Sequence, residues 1–137
     1  MKNQLSEAQK KQLVQEANKA RRFAYTPYSR YPVGAALLTS NGEIICGVNI
    51  DNAAYPATIC AERVAVFKAV SEGHRSFLAI AVVTRDGGSP CGGCRQVLAE
   101  FGMDTAIIIA NESGEILDEM KVSDLLPRAF GSGSLQP

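Results

Sequence analysis

A three-layer α/β/α sandwich around a mixed five-stranded sheet follows from how hydrophobic patterning changes along these 137 residues. Two β-type runs come first, joined by a turn. Helical and strand-like segments then alternate, which places helices on both faces of one sheet. The later runs Phe77–Thr84 and Thr105–Ala110 are almost wholly apolar, as in strands covered on both faces.

Each element has its own signal. Ser6-Glu7-Ala8-Gln9 opens a helix, with Ser6 as N-cap and Gln9 at the third helical position. Leu13, Val14, Ala17, Ala20, Phe23 and Ala24 continue a helical stripe that Pro27 ends. Val33–Thr39 and Glu43–Ile50 read as strands, and Ser40-Asn41-Gly42 between them signals a hairpin. Asn52–Ile59, with small residues and Pro56, is a loop. Cys60–Glu72 and Cys91–Phe101 read as helices closed by Gly73 and Gly102. Asp86-Gly87-Gly88-Ser89-Pro90 is the loop before the second of these. Asn111-Glu112-Ser113-Gly114 turns the chain into a weaker strand, Ile116–Met120. Ser123–Leu126 is a helical turn stopped by Pro127. No repeat or internal boundary interrupts the pattern, so 1–137 is expected to be one domain with a flexible tail over 131–137.

Lys+Arg and Asp+Glu number 14 each, leaving no net charge. A protein that tracks a polynucleotide backbone carries a basic excess or stripe. Lys10-Lys11 and Arg21-Arg22 fit the solvated face of a helix, so the expected partner is a small molecule and not nucleic acid. No apolar run approaches the roughly 20 residues that cross a bilayer. Met1–Lys11 lacks the apolar segment of a signal peptide. No membrane partner is expected, and the expected location is cytoplasmic. Thiols stay reduced there, so the four cysteines point to metal or redox chemistry.

Cys60-Ala61-Glu62 and Pro90-Cys91-Gly92-Gly93-Cys94 carry the chemistry. Cys91 and Cys94 have the spacing that lets two sulfurs reach one ion, and Cys60 can supply a third. Three protein ligands leave zinc a position for water, whereas structural zinc takes four. Both segments open helices, whose free N–H groups and partial positive charge favour thiolate. Glu62 stands where a carboxylate could work on a bound water, although a first-turn glutamate also complements the helix dipole. Arg63 and Arg95 could each donate to a ligand sulfur and offset the negative charge of three thiolates. A structural site would need Cys46 or His74 as fourth ligand, and neither has ligand-like spacing to another donor.

C-x-E followed by P-C-x-x-C is the signature of zinc deaminases of bases and nucleosides. The chain resembles the small, homotetrameric cytidine deaminases with three cysteine ligands. The resemblance runs through Ala24-Tyr25-Thr26-Pro27-Tyr28-Ser29, Val33–Leu37, Asn49–Tyr55, Cys60–Arg63, Phe67–Gly73, Ser89–Leu98, Leu125-Leu126-Pro127 and Ala129-Phe130. It implies one zinc per chain and Glu62 as the catalytic group. It implies hydrolytic deamination of cytidine and 2'-deoxycytidine, in pyrimidine salvage, with release of ammonia. It places Asn49 and Asp51 at the ribose, Ala61 and Tyr31 beside the nucleoside, and Tyr55 at a subunit contact near the site. Phe130 corresponds to a residue that a neighbouring subunit lays against the pyrimidine.

The chain departs from that pattern at Asp51 for Glu, Tyr31 for Phe, Gly93 for Ala, Arg128 for a small residue, and the Pro56–Ile59 loop. These changes bear on sugar preference and leave the zinc motif intact. Two other readings compete. One is a deaminase of a cytosine nucleoside analogue, blasticidin S-like or N4-modified. The other is a non-catalytic zinc-binding module, which needs neither Glu62 nor an open coordination position.

Overall fold

The computed structural model describes residues 5–135. The elements run α1 (Glu7–Arg21), β1 (Gly34–Thr39), β2 (Ile44–Val48), α2 (Ala61–Ser71), β3 (Phe77–Val83), α3 (Gly92–Phe101), β4 (Ala106–Ala110), β5 (Ile116–Lys121) and α4 (Val122–Leu125). Short 3-10 turns occupy Tyr55–Ala57 and Ser132–Leu135. The latter falls within the expected tail, whose residues 136–137 lie outside the described residues.

The strands form one sheet in the order β2-β1-β3-β4-β5. The β3–β4 pair is parallel and the other pairs are antiparallel, so the sheet is mixed as expected. Side chains alternate between two cores. Ile80, Val82, Ile107 and Ile109 join Ala65, Val66 and Leu98 on the face covered by α2 and α3. Ala79, Ala81, Val83, Ile108 and Ala110 face Leu13, Val14 and Ala17 of α1. Two-sided burial explains why β3 and β4 are apolar without alternation.

Local chemistry sets the boundaries. Ser6 caps α1 in a full capping box: Gln9 N donates to Ser6 Oγ at 3.1 Å, and Ser6 N donates to Gln9 Oε1 at 2.9 Å. The helix ends earlier than the Pro27 signal implies. Tyr25 N leaves the helical path to donate to Asn49 O at 3.1 Å, and Phe23 is left exposed outside the helix. Strand β1 starts after Val33 because the Asn49 side chain accepts from Val33 N at 2.9 Å. The hairpin turns through Gly42 at φ 92°, a conformation that favours glycine.

Gly47 brings α2 onto the sheet. A Cβ there would lie 2.5 Å from Ala61 O and 2.5 Å from Ala65 N, both backbone atoms of α2. The missing side chain therefore fixes where the first turn of α2 sits. Gly47→Ala is expected to cost about 1–3 kcal/mol through overpacking and to lower zinc occupancy by displacing Cys60. Thermal melting and metal analysis check this, and an unchanged melt would contradict it.

Candidate active site

Two helix N-termini meet at the end of the sheet. Cys60 and Cys91 are the N-cap residues of α2 and α3, and Cys94 lies in the first turn of α3. Neither helix has a side-chain cap, so the sulfurs occupy the positive ends of both helix dipoles. Cys60 Sγ is 3.7 Å from Cys91 Sγ, and Cys91 Sγ is 3.5 Å from Cys94 Sγ. All three sulfurs lie within 4.8 Å of one another. Tetrahedral zinc with bonds of about 2.3 Å places its sulfur ligands about 3.8 Å apart. The donor set and spacing therefore fit zinc. Cys46, on β2, sits instead 3.9 Å from Glu16 O beside α1. His74 Nε2 lies 3.6 Å from Glu43 Oε1. Neither belongs to the cysteine cluster.

The surroundings of Cys60 favour its thiolate. A hydrogen bond from Cys94 and another from Arg63 hold it down to about 5, against the cost of burial. Its bond to Cys60, reinforced by burial, pushes Cys94 upward. Arg63 Nη2 donates to Cys60 Sγ at 3.2 Å, as expected of a residue that balances thiolate charge. Arg95 does not share that role. It donates to Pro90 O at 2.7 Å, Leu125 O at 3.0 Å and Ser89 Oγ at 3.0 Å, which braces the loop carrying Cys91. Its side chain follows Cys94 in sequence but leaves the far side of the turn.

Gly93 faces Arg63. A Cβ there would stand 3.6 Å from the guanidinium carbon, an ordinary van der Waals distance. Gly93→Ala is expected to keep zinc and to raise stability by about 0.5–1 kcal/mol through helix propensity. Melting curves and zinc content check this, and a loss of either would contradict it.

Glu62 is 5% exposed on the first turn of α2 and lines the pocket that contains Cys60 and Cys91. Burial pushes its carboxyl up to about 6, and the Cys60 charge adds to the shift. A carboxyl poised there can both take and return a proton near neutral pH. The pocket holds about 290 Å³ and is also lined by Tyr31, Asn49, Asp51, Ala61, Thr84 and Gly88.

Asn49 and Asp51 reach the pocket, but the chain itself engages their polar ends. Asn49 accepts from Val33 N and donates Nδ2–H to Tyr31 O at 2.8 Å. Asp51 Oδ2 accepts from Ser29 N at 2.8 Å and Tyr28 N at 3.1 Å, while Oδ1 accepts from Ser29 Oγ at 3.2 Å. The Ser29 bond, with that of Tyr28, holds the Asp51 carboxyl below its ordinary range. The stability it contributes is present above the ordinary aspartate pKa and is lost as pH falls through the depressed value. The short aspartate thus clamps the 28–29 loop, and Ser29 joins the pocket wall, a role its sequence position did not signal.

Tyr55 is 74% exposed and Phe130 59% exposed, both outside this pocket. Phe130 is fixed through its backbone, where its carbonyl accepts from Gln96 Nε2 at 2.8 Å. Arg128, two residues earlier, holds a left-handed φ of 54°.

Residues 7–110 match the family model described as the cytidine and deoxycytidylate deaminase zinc-binding region. A cytidine deaminase of Sporosarcina psychrophila is 53% identical over 126 residues, covering 90% of this chain and 92% of that protein. One from Halalkalibacterium halodurans is 54% identical over 121 residues, covering 86% and 91%. The crystal structure of cytidine deaminase from Burkholderia pseudomallei superposes with a TM-score of 0.84 at 40% identity, covering 92% of this chain and 100% of that one.

Proposed function

The chain belongs to the cytidine and deoxycytidylate deaminase family, and from that premise we propose how its own residues deaminate cytidine and 2'-deoxycytidine. The observation that carries the assignment is a cluster of three sulfurs at zinc-ligand spacing, two of which, on Cys60 and Cys91, line one pocket with the buried carboxyl of Glu62. Cys60, Cys91 and Cys94 hold the metal. Bound there, zinc supplies Lewis acidity that makes a water nucleophilic near neutral pH.

Glu62 moves the protons. It takes one from the attacking water and delivers it to the ring N3, which makes C4 more electrophilic. The water oxygen bonds to C4, and Glu62 then carries its second proton to the amino group there as the C4–N bond breaks. Ammonia leaves, and uridine or deoxyuridine remains. Arg63 keeps Cys60 a thiolate throughout, and Arg95 holds the Cys91 loop in place. Ala61, at the buried first position of α2, and Tyr31 form walls against the base. Asn49 and Asp51 bound the sugar end, with Asp51 acting through the Ser29 loop.

The working form is a homotetramer in which Phe130 of one subunit closes a neighbour's pocket and Tyr55 meets the subunit boundary. Large aromatic side chains this exposed suit an interface better than open solvent. Among the described residues no helix is long and apolar enough to cross a membrane. The proposed location is the cytoplasm, where ligand thiols remain reduced, and the proposed role is pyrimidine salvage.

Turnover of cytidine, deoxycytidine and blasticidin S on the same zinc-loaded preparation tests the substrate. Preference for the two ordinary nucleosides is expected. Turnover of blasticidin S alone would move the assignment to an analogue deaminase.

A further inference from the structure

Tyr31 is tied to its surroundings by contacts that the zinc motif does not require. Its hydroxyl donates to Asp86 Oδ1 at 2.7 Å. The same oxygen accepts from Thr84 Oγ1 at 3.3 Å. Thr84 Oγ1 in turn accepts from Gly87 N and Gly88 N, each at 2.7 Å, so one threonine winds the 84–88 loop around the carboxylate. The Arg85 guanidinium lies 4.8 Å from the centroid of the Tyr31 ring. Arg85 Nη1 also donates to Arg30 O at 3.0 Å, and Arg30 holds the left-handed φ of 54° that turns the chain into Tyr31.

Gly88 completes the fit. A Cβ there would stand 2.6 Å from the Tyr31 hydroxyl. Tyr31, Thr84 and Gly88 all line the pocket, while Asp86 stays outside it. The Tyr31 ring is therefore held both at its hydroxyl, by Asp86, and on its face, by Arg85.

We propose that Asp86 is a positioning residue for the nucleoside pocket, acting through Tyr31, and that this pair sets substrate affinity more than chemistry. The inference rests on the nucleoside deaminase reading and adds to it a residue that touches neither substrate nor metal. An ordered wall lowers the entropy cost of binding the base. It makes no contact with the proton path at Glu62, so its loss falls on KM.

The test is a double-mutant cycle read as separate KM and kcat values for cytidine. Tyr31→Phe and Asp86→Ala are each expected to raise KM by about threefold to tenfold, as loss of one charge-assisted hydrogen bond allows. The change in kcat is expected to stay within about twofold. The double variant is expected to match the larger single effect, since both substitutions remove the same bond. Asp86→Asn, which keeps an acceptor, is expected to restore most of the affinity. Additive KM effects, or KM unchanged in both single variants, would overturn the proposal. Melting temperature and zinc content of each variant separate positioning from loss of the fold. A parent protein that converts no nucleoside overturns the functional reading itself, whereas an active parent with insensitive variants overturns this inference alone.

Discussion

Replacing Glu62 by glutamine is expected to lower kcat for cytidine by about 10²- to 10⁴-fold, the range that general acid–base transfer contributes. Glutamine fills nearly the same volume and keeps an oxygen and a nitrogen in the pocket. It cannot accept the proton of the attacking water or return one to the leaving amine. The three sulfurs lie on other residues, so zinc content is expected to remain one per chain. The side chain is almost fully buried at the start of α2, so a bulk-solvent base has little access to its place. Steady-state kinetics with metal analysis on the same sample decide the matter. Near-normal turnover with zinc retained would remove Glu62 from the mechanism.

Replacing Cys94 by alanine is expected to abolish both zinc retention and turnover. Cys94 is completely buried on the first turn of α3, with its sulfur 3.5 Å from that of Cys91. Catalytic zinc is held by three protein ligands and structural zinc by four, so two remaining sulfurs fall below either arrangement. Helix α3 contributes Leu98 to the same core as α2, and far-UV circular dichroism is expected to keep its helical signature. Cys46→Ala supplies the contrast. Its sulfur faces α1 on the far side of the sheet, and zinc content and turnover are expected to match the parent. Zinc retained in Cys94→Ala would mean that the metal sits elsewhere. Zinc lost in Cys46→Ala would bring that residue back as a ligand.

The zinc site was the most legible part of this chain. Cys91 and Cys94 could be paired from sequence because ligand spacing and helix starts are local properties, while Cys60 joins them through the C-x-E … P-C-x-x-C signature. The element order was legible for the same reason, and the mixed sheet follows from it. The end of α1 was not. The stripe through Phe23 and Ala24 continues in sequence, but Tyr25 pairs with a strand segment more than twenty residues away.

The surroundings of the site show the same division. Arg63 and Arg95 occupy equivalent places after a motif residue, yet only Arg63 points at a sulfur. Side-chain direction depends on which turn of which helix carries the residue, and the motif does not encode it. Gly47 gave no signal, because its role is defined by α2 lying on top of it. Asp86 did carry a faint one. Thr84-x-Asp86-Gly87 is a side-chain-supported turn, but only the folded chain brings Tyr31 to it. Asn49 and Asp51 line the pocket, with their polar groups shared with Tyr31, Val33 and Ser29. The carboxylate of Asp51 is taken up by the backbone of Tyr28 and Ser29, which lie far from it in sequence.

The most direct test of the central claim follows the ultraviolet absorbance of cytidine with purified, zinc-quantified protein while assaying released ammonia. Complete conversion to uridine is expected, with one ammonia released for each uridine and loss of both signals in Glu62→Gln. Zinc-loaded protein that converts neither cytidine nor deoxycytidine, and that a hydrated-pyrimidine analogue fails to bind, would contradict it.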